Sequence, residues 1–371
     1  MRICFLIRSL NYGGAERQLV ELACGLKRCG HEVMVLTFYD DGPLGRDLET
    51  AGVACRAIGK RGRWDFVPFL VRLVRQVRSL RPDILHSYTT VPNMVVGLVA
   101  PFLPGIQIVW GVRASNLPPG SYDATVRASI WCGGRLARSA DLIIANSWAG
   151  AADHIEQGYP AARMTVIPNG IETERFRPDP GCRARMRTEW GMAPTDLVIG
   201  NVARLDPVKD HDAFVRAAAR VLARLPECRF VCVGAAEPGR LTALTRLAES
   251  LGLDRAFRWL PPTHDPVDVY RALDLHCSSS VSEGFSNSLG EALATGIPCV
   301  ATNVGDAGRM LHGLGLVVPP GDSEALADAM LELLDRRSGI LAERCRQRIV
   351  EEYSVPQLIA RTESALARLL D

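Results

Sequence analysis

Two acidic side chains eight residues apart are the strongest chemical signal in the sequence. Glu283 precedes a turn of small polar residues, and Glu291 follows that turn in a segment whose apolar pattern is typical of a helix, 289–294. The free N–H groups and the dipole of such a helix start attract anions, and carboxylates accept hydrogen bonds from sugar hydroxyls. The segment therefore predicts a site for a diphosphate, with Glu291 in the first helical turn.

Each of these glutamates also has a structural interpretation. Ser288 and Glu291 have the spacing of a capping box, in which the glutamate only satisfies a backbone N–H group at the helix start. Glu283 fits equally well as a solvated acid in a surface loop. The segment by itself leaves both interpretations open, and a second group of candidates is needed to favour the binding site.

That second group is a pair of cations. Arg204 and Lys209 lie between a predicted strand, 196–201, and a helical apolar stripe that begins at Phe214. Ligands bind at the carboxyl ends of parallel strands, where arginine can bind phosphate oxygens in a fork and lysine acts as a point charge. Two such cations could stabilise a departing diphosphate without a metal. The alternative is a pair of exposed basic loop residues.

The first half of the chain carries weaker candidates. Gly13 and Gly14 follow the first predicted strand, 3–7, but a lone glycine pair is also typical of a simple turn. Neither a GxGxxG motif nor a P-loop follows that strand, which argues against standard dinucleotide and P-loop binding. His86 and Tyr88 end another predicted strand, where they either face a ligand or form part of the core.

Strands and helices alternate along the whole chain, which predicts an α/β fold with doubly wound parallel sheets. The pattern restarts after 168–195, where prolines and glycines mark a linker. We therefore expect two Rossmann-like domains, 1–175 and 176–356, that face each other across a deep cleft. The predicted strands are 3–7, 33–37, 83–86, 107–110 and 141–145, then 196–201, 229–234, 273–277, 298–302 and 315–318.

Composition and charge exclude several other classes of protein. The 371 residues suit two domains, and a net charge of +2 gives no general basic field for nucleic acid. The eleven cysteines include no CxxC pair and fit reduced thiols in a cytosolic protein. Arg8 interrupts the first apolar stretch, which is too short for a signal peptide. The uncharged stretch 84–112 contains three prolines, so two buried strands around a short helix fit it better than a membrane span.

Together these segments resemble the retaining GT-B glycosyltransferases of family 4, which build polysaccharides and glycolipids. The resemblance covers nearly the whole chain, and no single segment carries it. The matching segments follow the family's order: 12–16, 83–86, 167–172, Arg204 with Lys209, 283–291 and 294–302. Several modestly specific motifs in the right order are together highly specific.

The resemblance implies a nucleotide-sugar site in the C-terminal domain, an acceptor site in the N-terminal domain, and no metal or other cofactor. Arg204 and Lys209 would bind the donor diphosphate, Glu283 would contact the donor sugar near the reacting carbon, and Glu291 would hold the ribose hydroxyls. Gly14 would bring backbone close to the donor phosphate or the acceptor. The final helix, 357–371, would pack back onto the N-terminal domain. Backbone amides would come from Gly284, Phe285, Ser286, Asn287, Ser288 and Leu289.

The chain departs from the family's pattern at two positions. Many members carry a histidine after the strand that here ends near Trp110, and this chain has Arg113 in that place. Its contact with the donor sugar is therefore open. Members also often have a Gly-Gly-x-x-Glu motif after the strand at 298–302, and this chain has 305–309, Gly-Asp-Ala-Gly-Arg.

A basic amphipathic segment, 60–81, suggests a contact with an anionic membrane, at about 1 kcal/mol per basic residue near the surface. The alternative is an outer helix whose apolar face covers the sheet. We expect a cytoplasmic protein that contacts the inner face of the membrane through this segment. Its basic residues are Lys60, Arg61, Arg63, Arg72, Arg75, Arg78 and Arg81, opposed by Asp65 alone.

The expected activity is transfer of a hexosyl group from a nucleoside-diphosphate sugar to a glycan or a lipid-linked glycan. UDP is favoured because UDP-sugars are the commoner donors in the resembled family. Three alternatives stay open: a GDP-sugar donor, a phosphorylase or epimerase of the same architecture, and a non-catalytic module that binds nucleotide sugars. None of them involves nucleic acid.

Overall fold

The computed structural model of the protein describes residues 1–40, 42–113 and 124–371, and the side chains of 63 and 124–129 lie outside that description. Within it the chain forms two compact units, 1–170 with 355–371 and 171–354. Each unit contains one parallel sheet, so the predicted pair of Rossmann-like α/β domains is confirmed. The sequence placed the boundary after 175, and the structure divides between Gly170 and Ile171.

The first unit is built on seven parallel strands. They are β1 (Arg2–Ile7), β2 (Glu32–Thr37), β3 (Ala54–Ala57), β4 (Ile84–Tyr88), β5 (Gln107–Val112), β6 (Leu142–Ala145) and β7 (Met164–Val166), in the spatial order β3-β2-β1-β4-β5-β6-β7. The helices between them are α1 (Gly14–Arg28), α2 (Gly45–Thr50), α3 (Phe66–Leu80), α4 (Thr90–Val99), α5 (Ala124–Leu136) and α6 (Trp148–Glu156).

The second unit is built on six parallel strands. They are β8 (Leu197–Val202), β9 (Cys228–Val233), β10 (Phe257–Leu260), β11 (Leu275–Ser278), β12 (Cys299–Thr302) and β13 (Leu316–Val318), in the order β10-β9-β8-β11-β12-β13. Its helices are α7 (Pro180–Glu189), α8 (His211–Arg224), α9 (Arg240–Ser250), α10 (Val267–Ala272), α11 (Asn287–Ala294), α12 (Ala307–Leu311), α13 (Ser323–Asp335) and α14 (Gly339–Glu352). Cys228 and Cys232 are both buried on β9, as free thiols in the core.

The last helix, α15 (Val355–Ala367), belongs to the first unit. It packs against α1 so closely that a Cβ on Gly25 would lie 2.2 Å from Cδ1 of Ile359. Nε2 of His31, in the turn after α1, lies 2.8 Å from Oε1 of Glu363 on α15. Glycine at position 25 therefore allows the final helix to complete the core of this unit.

The strand order reverses once in each sheet, between β1 and β4 and between β8 and β11. At such a switch point the two connections leave the sheet in opposite directions, and a crevice opens outside the carboxyl ends of the strands. The loops after β8, β11 and β12 therefore meet at one edge of the second sheet. These are the loops in which the sequence places Arg204, Lys209 and Glu283.

The uncharged stretch 84–112 forms β4, α4 and β5, as the sequence predicts. Over the described parts of the chain, we find no helix with both the length and the apolar character needed to cross a bilayer.

Candidate functional site

Lys209 and Glu283 form an ion pair at the switch point of the second sheet. Nζ of Lys209 donates to Oε1 of Glu283 at 2.5 Å, and the two side chains are 23% and 13% exposed. The hydroxyl of Ser280 donates to the same carboxylate oxygen at 2.7 Å. Because an ammonium group has three donors, Lys209 can bind a second anion without releasing Glu283. The structure thus brings together two residues that the sequence proposed separately.

Hydrogen bonds fasten the two loops that carry this pair. The N–H of Val281 donates to the carbonyl of Val208 at 2.8 Å, and the hydroxyl of Ser279 donates to the carbonyl of Lys209 at 2.8 Å. The side-chain amide of Asn201, at the end of β8, donates to the hydroxyl of Ser279 at 3.2 Å. The loop after β11 is therefore held against the loop after β8.

Gly305 supports the turn at Glu283 from the neighbouring strand. Its φ is +56°, and a Cβ there would lie 2.4 Å from the carbonyl oxygen of Gly284 and 2.5 Å from that of Glu283. The next N–H group, on Asp306, donates to the carbonyl of Gly284 at 3.0 Å. A left-handed backbone and a close approach both require glycine here. The segment 305–309 departs from the family motif, but it still has a glycine at the position that contacts the turn.

Helix α11 begins earlier than the sequence predicts. Asn287 is its first residue, and Ser286 caps it by accepting from the N–H of Leu289 at 3.5 Å. The capping-box interpretation of Ser288 and Glu291 is therefore wrong, and so is the placement of Glu291 in the first turn. The reason is that Ser286, whose backbone is extended, already provides the cap.

Glu291 instead lies in the second turn of α11 and is only 4% exposed. The hydroxyl of Tyr270, on α10, donates to its Oε2 at 3.0 Å. A buried carboxylate is stabilised by such bonds. Tyr270 was not predicted, because nothing in the sequence around it, 21 residues before Glu291, marks it as a partner.

The remaining turn residues fall into two groups. Phe285 and Leu289 are buried, and the ring of Phe285 packs against Tyr353 at a centroid distance of 5.6 Å. Their side chains belong to the core, so only their backbone groups are available. Gly284, Asn287 and Ser288 are partly exposed.

Arg204 stands apart from the ion pair. Its side chain is 75% exposed, and its guanidinium lies 3.7 Å from Asp206. Gly234, at the end of β9, fixes the backbone beside it, since a Cβ there would lie 1.8 Å from the carbonyl oxygen of Ala203. Arg204 is therefore an exposed cation beside a closely packed backbone.

Of the candidates in the first unit, Gly14 is the first residue of α1, whose start has no side-chain cap. His86 is completely buried on β4, and neither ring nitrogen has a hydrogen-bond partner. Burial, and then the charge of Arg113, hold the pKa of His86 well below its ordinary value, so the ring is neutral. In the structure, therefore, His86 is a buried residue of the first unit.

Arg113 follows β5, with its Cζ 4.1 Å above the centroid of the Tyr88 ring. Its Nη1 is 3.5 Å from Oδ1 of Asn169, and its Nε has no partner. Burial lowers the pKa of Arg113 from its ordinary value. The guanidinium is therefore held in place by a ring and an amide rather than by an acid.

A cavity of about 620 Å³ opens at the carboxyl ends of β1, β2 and β4. That volume is within the range of about 300–1,000 Å³ for small-molecule sites. Thr89, on its wall, has a φ of +72°, which is unusual for a residue other than glycine. Its lining is mostly polar and consists of Arg8, Ser9, Asn11, Glu16, Tyr39, Thr89, Thr90 and Val91.

The sequence analysis missed Ser280, Tyr270 and Gly305. A serine pair directly after β11 and a glycine soon after β12 were available signals, because both follow predicted strands. As for metals, no three His, Cys, Asp or Glu side chains lie close enough to hold an ion, where the structure describes the chain.

Both halves of the chain match family profiles of glycosyltransferases. A family profile described as Glycosyltransferase Family 4 matches residues 12–175, and one described as Glycosyl transferases group 1 matches residues 196–336. A D-inositol 3-phosphate glycosyltransferase of Corynebacterium urealyticum is 34% identical over 72% of this chain and 67% of its own. Another, of Nocardia farcinica, is 32% identical over 73% of this chain. The match spans 63% of that relative, a little under two thirds of its length.

Among solved structures, the chain is similar to Anabaena HepE, crystallised in complex with UDP-glucose. The TM-score is 0.87 at 24% identity, over 99% of this chain and 100% of that one.

Proposed function

Since this chain belongs to the family 4 glycosyltransferases, we propose that it transfers a sugar from a nucleoside-diphosphate sugar, with UDP as the nucleotide, to an acceptor hydroxyl. The observation that carries the proposal is the Lys209–Glu283 pair at the switch point of the second sheet. UDP is the nucleotide bound in the similar Anabaena structure.

The donor diphosphate would bind between the start of α11 and the two cations. N–H groups and the dipole at a helix start attract phosphate, and the ammonium group of Lys209 has further donors beside the one it gives to Glu283. Arg204, whose side chain is 75% exposed, would bind the diphosphate oxygens. A cation that stabilises the charge developing on a leaving diphosphate does the work that a metal does elsewhere, so we propose a metal-independent transfer.

Two carboxylates would position the rest of the donor. Glu291, buried and held by Tyr270, would accept hydrogen bonds from the ribose hydroxyls. Glu283 would contact the donor sugar near the reacting carbon, since Ser280 and Lys209 fix its carboxylate. We propose transfer with retention, in which the acceptor attacks the face that the diphosphate leaves and the departing phosphate takes the proton.

The acceptor would bind to the first unit, in the cavity at the ends of β1, β2 and β4. Threonine and asparagine side chains there suit a ligand rich in hydroxyl groups. We propose a glycan or a lipid-linked glycan. The names of the relatives point to a phosphorylated polyol as the second candidate.

The donor assignment predicts a nucleotide-specific thermal shift. With EDTA present, we expect UDP at 100 times its Kd to stabilise the protein by about 2.7 kcal/mol. A hydrogen bond to a charged acceptor contributes about 1.5–3 kcal/mol, so Glu291→Gln should weaken UDP binding roughly 10–100-fold. The measurement is a melting curve of the full chain against UDP, GDP, ADP and their sugar conjugates.

The matched control is Glu249→Gln, an exposed glutamate on α9, which should keep the full shift. A shift with GDP alone would change the nucleotide and keep the site. Conversion of a nucleotide sugar without an acceptor would indicate an epimerase, and a response to inorganic phosphate as cosubstrate a phosphorylase. No shift with any nucleotide would contradict the donor site and favour another function for this fold.

A second proposal concerns the α3 surface, which we define as the exposed face of Trp64, Val67, Val71, Arg75 and Arg78. Phe69, Leu73 and Val77 form the buried face of α3. The helix therefore also covers the sheet, as the alternative interpretation of this segment expects. Yet Trp64, Val67 and Val71 are 89%, 67% and 43% exposed. Apolar side chains flanked by exposed arginines fit an anionic lipid surface.

Not every basic residue of the segment is available for this contact. Arg72 donates to both Asp65, at 2.5 Å, and the carbonyl of Gly59, at 2.9 Å, so it fastens the start of the helix. The side chain of Arg63 lies outside the described residues. Arg75 and Arg78 are exposed on this face, and Arg78 keeps four N–H donors beside the one that its Nε gives to the carbonyl of Phe102, at 3.0 Å. These two arginines are the residues to change.

We expect the wild type to bind vesicles that contain anionic lipid, and Arg75→Glu with Arg78→Glu to weaken that binding roughly tenfold or more. Sedimentation with anionic and neutral vesicles measures it. The pair Arg246→Glu and Arg255→Glu, two exposed arginines of the second unit, should bind like the wild type. A wild type that stays in solution with anionic vesicles would end the proposal.

A further inference from the structure

Arg113 is a cation that has no acidic partner among the residues the structure describes. Across 1–40, 42–113 and 124–371, no carboxylate forms an ion pair with its guanidinium, and its polar contact is Oδ1 of Asn169, at 3.5 Å. Its Nε is buried and has no hydrogen-bond partner. Arg113 is also half-buried rather than exposed to water.

The described side chains that contact Arg113, Tyr88 and Asn169, are neutral. The ring of Tyr88 lies beneath the guanidinium, and the ring of His86 lies 4.9 Å from that of Tyr88. Burial keeps the pKa of His86 low, so the imidazole adds no charge. The hydroxyl of Tyr88 and Oδ1 of Asn146 are buried without hydrogen-bond partners. No group on β4, β5 or β6 that the structure describes here supplies a negative charge.

This arrangement is costly for folding and favourable for binding. Removing a charge from water without a partner destabilises a protein, and a cation above an aromatic ring recovers only part of that loss. The rigid fork of arginine matches a carboxylate or a phosphate. The position, directly after β5, is at the carboxyl edge of the sheet, where ligands bind.

We propose that Arg113 binds an anionic group, a carboxylate or a phosphate, that one of the two substrates carries. Tyr88 holds the guanidinium plane, and Asn169 fixes its outer edge. The Asn169 loop is itself fastened, because the side-chain amide of Gln18 exchanges two hydrogen bonds with Gly170, of 2.7 and 2.8 Å. The proposal rests on the proposed function, since it concerns a substrate of the same transfer.

Two pairs of ligands separate the sources of the anion. UDP-glucuronate differs from UDP-glucose by a carboxylate on the donor sugar, and inositol 3-phosphate differs from inositol by a phosphate on an acceptor. Calorimetric titration of the full chain, with UDP present for the inositol pair, gives the anion preference. We expect the wild type to prefer the charged member of one pair at least about tenfold, which corresponds to about 1.4 kcal/mol.

In Arg113→Gln that preference should disappear, while UDP alone binds as it does to the wild type. Arg56→Gln, at an exposed arginine of β3 in the same unit, should keep both properties. Preference for the glucuronate places the anion on the donor, and preference for the phosphate places it on the acceptor. Either result supports the proposal.

Absence of a preference in both pairs, or a preference that survives in Arg113→Gln, would overturn it. The Tm adds an independent readout, because loss of an unpaired cation should leave the Tm unchanged or raise it. A lower Tm with an intact preference would show that Arg113 is structural. Failure of UDP to bind the wild type would instead contradict the proposed function and is distinguishable from these outcomes.

Discussion

Lys209→Met should lower kcat by roughly 10²–10³-fold while the protein stays folded. Removal of one group that stabilises developing negative charge typically has that effect, and methionine keeps the apolar stem of the side chain. Glu283, only 13% exposed, would lose its cation and keep the bond from Ser280. Initial rates at saturating donor measure kcat, and a melting curve of each variant reports the fold.

A second substitution separates catalysis from stability. Truncation of one member of a largely buried pair leaves the other charge unpaired and destabilises the fold. Lys209→Met combined with Glu283→Gln should therefore recover Tm without recovering kcat. Arg246→Ala, which removes an exposed positive charge from α9, is the control for net charge and should be fully active. A Lys209→Met enzyme within about threefold of the wild type would contradict the role of Lys209 in the departure of the diphosphate.

Gly305→Ala should be nearly as damaging, for a steric reason. A left-handed φ of +56° strains alanine, at about 1–2 kcal/mol, and the new Cβ would overlap the carbonyl oxygens of Glu283 and Gly284. Because the obstacle is backbone, the turn must move. Displacement of a catalytic group by about 1 Å can lower the rate about 10²-fold. We expect a loss of that size in kcat/KM together with a lower Tm.

Gly308→Ala is the matched control for this substitution. Gly308 lies three residues further on, within α12, where a Cβ would meet only the side chain of Asn303, at 3.3 Å. Alanine within a helix is generally more favourable than glycine, so this variant should be as stable and active as the wild type. Equal loss in both variants would show that the segment tolerates no substitution, and that the contact with Glu283 is not the cause.

Hydrophobic patterning predicted most of the strands, and the three that it missed share a physical cause. β3, β7 and β10 are edge strands, and most of their residues are exposed or half-buried. An edge strand whose residues are partly exposed to solvent does not need a continuous run of apolar residues. The central strands, buried on both faces, were predicted because their composition leaves few alternatives.

The start of α11 shows a different limit. The sequence offers two serines, Ser286 and Ser288, that could cap the helix, and local spacing favoured the second because Glu291 follows three residues later. The structure uses Ser286, and Glu291 turns inward to Tyr270 instead. Which serine caps depends on where the preceding turn leaves the sheet, and Gly305, in the loop after β12, contacts that turn.

The sequence by itself determined the α/β class, two parallel sheets, and the loops in which candidates for phosphate and sugar binding lie. It could do so because strand and helix periods, and the preference of ligands for strand ends, are local properties of the chain. Only the tertiary structure decided which of these residues meet. Lys209 contacts Glu283, which is 74 residues away in the chain. The contact forms because β8 pairs with β11 as well as with β9, the next strand in the sequence. Strand order is set by the packing of all the elements together, and no local period encodes it.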